Sequence, residues 1–339
     1  MDKKILVTGG LGYIGSHTVV ELNKSGFDTV VIDNLSNSHI SVLENLNKIT
    51  GKRNHFENID LTDKIDLELF FEKHKSIEGV IHFAAYKSVL ESVNNPLKYF
   101  NNNLISLINL LEVLSERKIE NFIFSSSASV YGNIDTSPIK EYFKKKPASP
   151  YAETKLIGEK IIFDFFKKNK NFKSISLRYF NPIGAHDSLL IGELPIGEPQ
   201  NLIPRITQSI TNKIDNLFIY GNDYNTRDGT CVRDYIHVMD VAESHVYALK
   251  QLINSKDLIY DDFNVGTGEG KSVLEIINCF ENTNKLDINF SYSQRRAGDV
   301  ESIYADVSKI NKQLNWYSKH KIEDALKSAW MWQEKLNKQ

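Results

Sequence analysis

Short apolar runs alternate with longer amphipathic segments along the first half of the chain. The apolar runs are KILVTGG (4–10), DTVVID (28–33), GVIHFAA (79–85), NFIFSSS (121–127) and SISLRYF (174–180). They lack strict alternation of apolar and polar residues, which is typical of strands buried on both faces. Helical periodicity occupies intervals around 13–24, 97–117 and 152–168. Strands separated by helices predict an α/β fold with a doubly wound parallel sheet.

The second half of the chain lacks this regular alternation. Segment 181–200 is predicted to be loop-like, with turn residues at Pro182, Gly184, Gly192, Pro195 and Pro199. Beyond it we expect a smaller, irregular α/β domain and a helix at 239–253. We therefore predict one domain over 1–180, to which 234–253 returns, and a second domain over 181–339.

Composition and charge narrow the class of protein. The chain has 339 residues, of which 41% are hydrophobic, enough for one large domain or two modest ones. A net charge of -2 argues against a nucleic-acid binder. Cys231 and Cys279 are too few and too far apart for a disulfide framework or a zinc site, so we expect free thiols in a reducing compartment. The chain enters a strand directly and has no membrane-length apolar run, so we predict a soluble cytoplasmic protein.

The turn after the first strand, TGGLGYIG (8–15), has the spacing of a dinucleotide-binding loop. Gly10, Gly12 and Gly15 match G-x-G-x-x-G, and Gly9, Gly12 and Gly15 match G-x-x-G-x-x-G. Glycines let the backbone approach a pyrophosphate, and the following helix offers free N–H groups at its start. Asp33, at the end of the second strand, can bind the adenosine ribose and would repel a 2′-phosphate. This context favours a Rossmann-type NAD site over a plain glycine turn.

Two further strand ends are candidate cofactor contacts. They are Asp60-Leu61 and Phe83-Ala84-Ala85. Ligands of open α/β sheets bind beyond the carboxyl ends of the strands, where these residues could contact the adenine and a ribose. From the pattern alone, ordinary strand-end residues are an equal alternative.

The segment SPYAETK (149–155) places a phenol four residues before an ammonium at the start of a predicted helix. Tyr151 and Lys155 then share a face, and a positive charge beside a tyrosine favours the phenolate, which can act as a base. Alone, such a pair is more often part of a solvated helix face. Ser127, at the end of the fourth apolar run, could orient a substrate hydroxyl whose proton Tyr151 takes. The set predicts oxidation of an alcohol by NAD.

These motifs resemble the extended short-chain dehydrogenase/reductase superfamily, and further segments resemble its UDP-glucose 4-epimerase family. The segments are HFAAYKSVLESV (82–93), FSSSASVYG (124–132), SPYAETK (149–155), LRYFNPIGAH (177–186), GTCVRDYIHVMDVA (229–242) and RRAGDV (295–300). They occur in the family's order and span nearly the whole chain. The resemblance implies an NAD-binding domain, a nucleotide-sugar-binding domain, and a homodimer formed through the helices around 97–117 and 152–168.

The resemblance also implies a role for each matching residue. Ser127 and Tyr151 contact the sugar 4-hydroxyl, with Tyr151 as base and then acid, while Lys155 binds the nicotinamide ribose and lowers the pKa of Tyr151. The implied NAD contacts are Gly9, Gly12, Tyr13, Ile14, Gly15, Asp33, Asn34, Leu35, Ser36, Asn37, Ser38, Asp60, Leu61, Phe83, Ala84, Ala85, Lys87, Asn102, Ser127, Tyr151, Lys155 and Phe180. The implied substrate contacts are Lys87, Ser127, Tyr151, Asn181, Asn201, Leu202, Arg233, Arg296, Asp299 and Ile303.

Three of these assignments depend on the resemblance. Each guanidinium of Arg233 and Arg296 presents a planar fork of donors that suits a diphosphate. Without the resemblance, both could equally be ordinary surface arginines, and Phe180 would be a core aromatic.

The implied reaction interconverts UDP-galactose and UDP-glucose in galactose metabolism. Hydride leaves C4 for NAD, the 4-keto sugar turns over in the pocket, and the hydride returns to the opposite face. Such a reaction needs firm binding of NAD and UDP and loose binding of the hexose. Many nucleotide contacts, set against Ser127 and Tyr151 at C4, fit this division.

Some positions depart from the family pattern. Ala85 stands where glycine is common, and Ala152-Glu153-Thr154 replaces G-K-S, but neither change removes a functional group. A tyrosine at the position of Ile303 restricts the family's pocket to glucose and galactose, whereas a small residue admits N-acetyl sugars. Isoleucine is intermediate in size, so acceptance of UDP-GlcNAc and UDP-GalNAc is open.

Other functions fit the sequence less well. A 4,6-dehydratase typically carries an Asp-Glu pair beside the active-site hydroxyl, whereas Ser127 is followed by Ala128-Ser129. Segments typical of UDP-glucuronate 4-epimerases and decarboxylases are missing. A catalytically silent NAD-binding regulator would not need Ser127, Tyr151 and Lys155 together. The histidines show no metal-ligand spacing, and His237 and His245 are interpreted as helix or core residues, so no metal is predicted.

Overall fold

The structure, a computed structural model, describes residues 3–134, 136–296 and 299–338. Ala297 and Gly298 of the RRAGDV motif lie outside the described residues. The strands are β1 (Lys4–Thr8), β2 (Asp28–Asp33), β3 (His55–Asn58), β4 (Ile77–His82), β5 (Asn121–Ser127), β6 (Lys173–Tyr179), β7 (Asn181–Ile183), β8 (Leu217–Tyr220), β9 (Val232–Arg233), β10 (Tyr235–His237), β11 (Tyr260–Val265), β12 (Lys271–Ser272), β13 (Phe290–Ser293) and β14 (Ser302–Ile303). The α-helices are α1 (Tyr13–Lys24), α2 (Ser41–Thr50), α3 (Lys64–Lys73), α4 (Val89–Asn94), α5 (Pro96–Arg117), α6 (Pro150–Lys168), α7 (Leu202–Ile210), α8 (Val238–Asn254), α9 (Val273–Asn284), α10 (Ser308–Leu314) and α11 (Ile322–Asn337), and a 3-10 turn spans Ala128–Tyr131.

In the part of the chain that the structure describes, a parallel sheet of seven strands has the order β11-β6-β5-β4-β1-β2-β3. Its central strands are buried on both faces, as their continuous apolar runs predict. The predicted doubly wound α/β fold is confirmed. The strand order reverses between β1 and β4, and the carboxyl ends of these two strands form the crevice in which such sheets bind ligands.

Two predicted strands are shorter in the structure than in the sequence pattern. β1 ends at Thr8 because the chain turns at Gly9, which has a φ of +66° that favours glycine. β4 ends at His82, so Phe83 to Ala85 lie just beyond it. The backbone of both turns therefore lies at the crevice beyond the carboxyl ends of β1 and β4.

Two elements from the C-terminal half of the chain complete the seven-stranded sheet and the helices that pack on it. Helix α8 covers most of the segment 234–253 that was predicted to return, and it packs against α1 and against the sheet at β5 and β6. Its residues Val241, Leu249 and Leu252 join the core formed by Val19 and Leu22 of α1. Strand β11 also pairs with β6 at the sheet edge, a contribution that the sequence pattern did not indicate. The division of the chain into two domains stays a prediction.

The remaining C-terminal elements surround a separate apolar cluster. Ile206 of α7, Ile277 and Phe280 of α9, and Leu326 of α11 form part of it. Small sheets accompany it: β7 with β10, β8 with β13, and β12-β9-β14. None of the described helices is both long and apolar enough to cross a membrane.

Candidate active site

The glycine turn is packed too tightly for side chains. A Cβ atom on Gly9 would lie 2.7 Å from the backbone nitrogen of Ala84, and one on Gly15 would lie 2.3 Å from the carbonyl oxygen of Gly9. Gly12 is the N-cap of α1 and provides no side-chain cap, so the first N–H groups, including those of Tyr13 and Ile14, have no side-chain partner. The turn therefore offers close backbone approach and free donors, which is what a pyrophosphate of NAD requires.

Asp33 is fixed beside this turn. Its carboxylate accepts hydrogen bonds from the backbone nitrogens of Leu11 (3.1 Å) and Leu35 (3.0 Å) and from the hydroxyl of Ser38 (2.7 Å). Oδ1 takes two of these bonds and Oδ2 one, which leaves acceptor capacity on Oδ2. A ribose hydroxyl fits that remaining position, so the side chain predicted to bind adenosine is suited to it.

The other predicted adenosine residues border the same crevice. Asn34 donates to the carboxylate of Asp60 over 3.0 Å, which joins the ends of β2 and β3. Ser36 and Asn37 are exposed in the loop after β2, whereas Leu61 is buried. Ala85 follows Ala84, whose backbone lies against Gly9 of the glycine turn. Asn102 lies on α5 and donates to Asn103 over 2.9 Å.

The three predicted catalytic residues meet at the junction of β5 and α6. Ser149 caps α6 through the backbone nitrogen of Ala152, which places Tyr151 in the first turn and Lys155 one turn later. Burial raises the pKa of Tyr151, and a hydrogen bond with Ser127 lowers it in part. Lys155 is buried, and burial lowers its pKa from 10.5 to about 7. In the chain by itself, Ser127 is thus the neighbour that favours the phenolate, and the effect of Lys155 on Tyr151 stays a prediction.

Two residues next to this junction were not predicted from the sequence. Tyr179, at the end of β6, donates to Nε2 of His245 over 2.5 Å, and Nδ1 of His245 lies 2.8 Å from the carbonyl of Val241. A carbonyl only accepts, so Nδ1 carries the proton. Burial lowers the pKa of His245 to about 3, so the ring is neutral. This contact forms because α8 returns to the sheet. In the sequence, its one local indication is that Tyr179 directly precedes Phe180, a predicted NAD contact.

A second group of predicted residues gathers around Asp299. Its carboxylate lies 3.0 Å from Nε of Arg296 and 3.6 Å from Nη2 of Arg233. Arg233 also donates to the carbonyl of Val300 over 2.6 Å. The guanidinium of Arg296 lies 4.7 Å from the ring centre of Tyr220, an aromatic residue that the sequence did not single out. Two guanidinium groups, a carboxylate and an aromatic face can recognise a diphosphate, a ribose and a base.

Strand pairing links this group to the predicted substrate residue Ile303. Ile303 of β14 is the register partner of Arg233 in β9. The side chain of Ile303 packs against the cluster that contains Phe180, which is 8% exposed. The backbone nitrogen of Asn181 in β7 donates to the carbonyl of Asp234 over 2.9 Å, and Asn181 is the register partner of Tyr235 in β10, the strand that follows β9.

Glu193 joins Lys87, a predicted contact of both the cofactor and the substrate, to Asn201, a predicted substrate contact. Lys87, in the loop after β4, donates to Oε1 of Glu193 over 3.3 Å. Asn201, the N-cap of α7, donates to the same oxygen over 2.7 Å, and Leu202 begins the helix. Glu193 lies in a loop with no recognisable motif, and only the tertiary structure identifies it.

A glycine turn suited to a dinucleotide, a Ser-Tyr-Lys group and two arginines around Asp299 are the features of an enzyme of the short-chain dehydrogenase/reductase class that acts on nucleotide sugars. The family model described as GDP-mannose 4,6 dehydratase matches residues 6–329. UDP-glucose 4-epimerase of Bacillus subtilis is 46% identical over 97% of this chain and 96% of its own length.

Solved structures of UDP-glucose 4-epimerases are similar to this chain over almost its full length. UDP-glucose-4-epimerase from Stenotrophomonas maltophila, with bound NAD and formylated UDP-arabinopyranose, has a TM-score of 0.96 and 42% identity over 99% of both chains. The Bifidobacterium longum enzyme, in complex with NAD+ and UDP, has a TM-score of 0.93 and 40% identity over 98% of both chains. The chain belongs to the UDP-glucose 4-epimerase family.

Proposed function

We propose that this chain is an NAD-dependent isomerase that interconverts UDP-galactose and UDP-glucose. The observation that carries the proposal is the contact of Tyr151 with Ser127 next to the buried Lys155, at the ligand-binding edge of the sheet. The family membership and the fit of the glycine turn to a dinucleotide support it.

The residues of the chain divide the work of this reaction. The glycine turn and Asp33 would hold NAD, which would supply the hydride acceptor and donor for C4 of the hexose. Ser127 orients the 4-hydroxyl, and Tyr151 takes its proton and later gives it back. Lys155 holds a positive charge within reach of Tyr151, which favours the phenolate.

The nucleotide contacts hold the substrate while the sugar turns. Arg233 and Arg296 bind the diphosphate of UDP, and Asp299 binds the uridine ribose, in place of the ion pairs seen in the chain alone. Asn181, Asn201 and Leu202 complete the UDP side. Because these contacts all lie on the nucleotide, the hexose is free to rotate and present either face.

One assay tests the function. The purified protein, given UDP-galactose and no added NAD, should form UDP-glucose until the two sugars reach equilibrium, with product identified by NMR. Accumulation of a 4-keto-6-deoxy sugar would instead indicate the 4,6-dehydratase alternative. Binding of NAD without any sugar product would support the regulator alternative and contradict the proposal.

A homodimer is part of the proposal. Leu97, Ile105 and Ile108 of α5 are 80%, 38% and 40% exposed, and their spacing places them on one face of the helix. Phe163 of α6 is 41% exposed, and α5 and α6 pack together. Two copies of this surface would form a four-helix contact that covers apolar area. Light scattering should give about twice the 38.8 kDa mass of one chain, and Leu97→Lys with Ile108→Lys should give monomers.

The two cysteine thiols support a proposal for the cellular location of the protein. Cys231 and Cys279 are both free, as predicted. We propose a cytoplasmic location, since that compartment keeps thiols reduced. Fractionation of cells that express the tagged protein would test it.

A further inference from the structure

One oxygen of Glu193 bridges two residues of the proposed nucleotide sites. Oε1 accepts from Nζ of Lys87 at 3.3 Å and from Nδ2 of Asn201 at 2.7 Å. Lys87 follows β4 of the large sheet, whereas Asn201 caps α7 in the C-terminal part of the chain. The carboxylate therefore connects the cofactor side of the site with its substrate side.

The backbone of Glu193 is held without help from its carboxylate. The indole nitrogen of Trp332 donates to the Glu193 carbonyl over 2.9 Å. A Cβ atom on Gly192 would lie 2.6 Å from the ring of Trp332, so the loop sits directly on this side chain. A substitution confined to the carboxyl group should therefore leave the loop in place.

The bond to Glu193 also determines what Asn201 does at the start of α7. An asparagine at an N-cap usually accepts a hydrogen bond from a first-turn N–H group. Asn201 makes no such bond, and its amide is instead turned toward Glu193. The first-turn N–H groups of α7 are thus left without a side-chain cap, next to the proposed UDP contact Leu202.

The positive charge of Lys87 partly balances the negative charge of the Glu193 carboxylate. The Glu193 side chain is 11% exposed and that of Lys87 is 52% exposed. An ion pair with one exposed partner contributes little to stability, so its main effect is expected in the position of the groups. Without the lysine, the carboxylate would repel the phosphates that both proposed nucleotides carry.

We propose that Glu193 is a positioning residue that aligns Asn201 and Lys87 and thereby sets the affinity for the nucleotide diphosphate of the substrate. The inference rests on the proposed function, which assigns Asn201 to UDP and Lys87 to the nucleotide pocket. Glu193 itself touches neither reacting atom, and it acts through these two side chains.

Substitution of Glu193 separates binding from catalysis. Glu193→Ala should raise the KM for UDP-galactose and the calorimetric Kd for UDP about 10-fold, the loss expected for a charge-assisted hydrogen bond, with kcat changed by less than about threefold. Glu193→Gln keeps an acceptor for Asn201 and should restore both constants to within about threefold of the wild type. The melting temperature of each variant should shift by about 2 °C or less.

Glu198 provides the matched control. It lies in the same loop and pairs with Arg205 of α7 over 2.8 Å, with its side chain 64% exposed. Glu198→Ala removes a carboxylate ion pair on α7 but no contact with Lys87 or Asn201, so KM and the UDP Kd should stay unchanged. An equal loss of UDP affinity in Glu198→Ala would show that the effect of Glu193 comes from the charge of the loop in general, and it would overturn the inference.

Other outcomes are equally decisive. Unchanged UDP binding by Glu193→Ala would contradict the inference, and tighter binding would show that the carboxylate only repels the ligand. A loss confined to kcat would show that Glu193 does not act through UDP binding, and it would contradict the inference. If Glu193→Ala does not fold, Glu193→Met, which also lacks an acceptor for Asn201, is combined with Asn201→Ala, and additive effects of the two substitutions on the UDP Kd would contradict a shared role. A wild-type protein that binds no UDP would remove the proposed function itself, and the inference with it.

Discussion

The ammonium of Lys155 donates a 2.7 Å hydrogen bond to the backbone carbonyl of Ser125. This contact ties α6 to β5 two residues before Ser127. It fixes the lysine on the strand that carries the serine, so the proposed acid–base group does not depend on flexible loops. Because burial lowers the pKa of Lys155 to about 7, its charge responds to small changes in its surroundings near neutral pH.

Replacement of Tyr151 by phenylalanine should abolish proton transfer while leaving the pocket filled. We expect kcat to fall by about 10²- to 10⁴-fold, the usual contribution of a general acid–base group. NAD released by denaturing the purified variant should equal that of the wild type. Tyr142→Phe is the matched control, since that ring is 78% exposed. A Tyr151→Phe enzyme with normal turnover would contradict the assigned role.

The size of the side chain at Ile303 should control which sugars are accepted. Ile303→Ala should raise kcat/KM for UDP-GalNAc relative to UDP-galactose about 10-fold, because removing side-chain volume makes room for the acetamido group. Ile303→Tyr should lower the same ratio. Competition assays with both substrates measure it. Ser302→Ala changes the neighbour that faces the other side of β14 and should leave the ratio unaltered.

The buried pair of Arg178 and Glu159 should be a major determinant of stability. Their bidentate contact has two 2.8 Å hydrogen bonds, and both side chains are buried. Arg178→Met should lower the free energy of unfolding by about 3–5 kcal/mol, because it leaves the buried carboxylate of Glu159 without its arginine and also breaks the ion pair with Asp262. Urea denaturation measures this loss.

A double variant tests the cause of that loss. Glu159→Gln combined with Arg178→Met should recover part of the stability, since the unpaired charge is gone. Arg117→Met breaks a surface pair with Glu72, and it should cost about 1 kcal/mol or less. If the double variant is no more stable than Arg178→Met, the charge of Glu159 does not explain the effect, which then comes from lost packing or from the carboxylate of Asp262.

Stability should decline in mild acid because several histidines are buried in the neutral form. Burial lowers the pKa of His82, His17 and His245 to about 3. Each is neutral in the folded chain but takes up a proton in the unfolded chain below pH 6.5, so its stabilising effect is present above that pH. It is lost as the pH falls from 6.5 toward 3, by roughly 1.4 kcal/mol per pH unit for each histidine.

Variants of single histidines check this dependence. The slope of the unfolding free energy against pH, between pH 6.5 and 4, should be smaller by about one proton for His82→Gln. His39→Gln should keep the slope of the wild type, because His39 is exposed. Equal slopes for the wild type and His82→Gln would show that His82 gains its proton in both states.

Much of the fold was predictable because it depends on local pattern. The runs at 28–33 and 121–127 coincide with β2 and β5, and the interval 97–117 differs from α5 by one residue. Apolar periodicity and helix caps act over a few residues, so the sequence displays them directly. The glycine turn, Asp33 and the Tyr151–Lys155 spacing were recognisable for the same reason.

The amino-acid sequence by itself thus determined the order of the strands and helices, the glycine turn and the chemical groups available for catalysis. Only the tertiary structure decided which distant groups meet. Lys87 and Glu193 are 106 residues apart and Tyr179 and His245 are 66 apart, yet each pair shares a hydrogen bond. Such partners carry no mutual spacing rule, because their distance depends on how the whole core packs rather than on the chain between them.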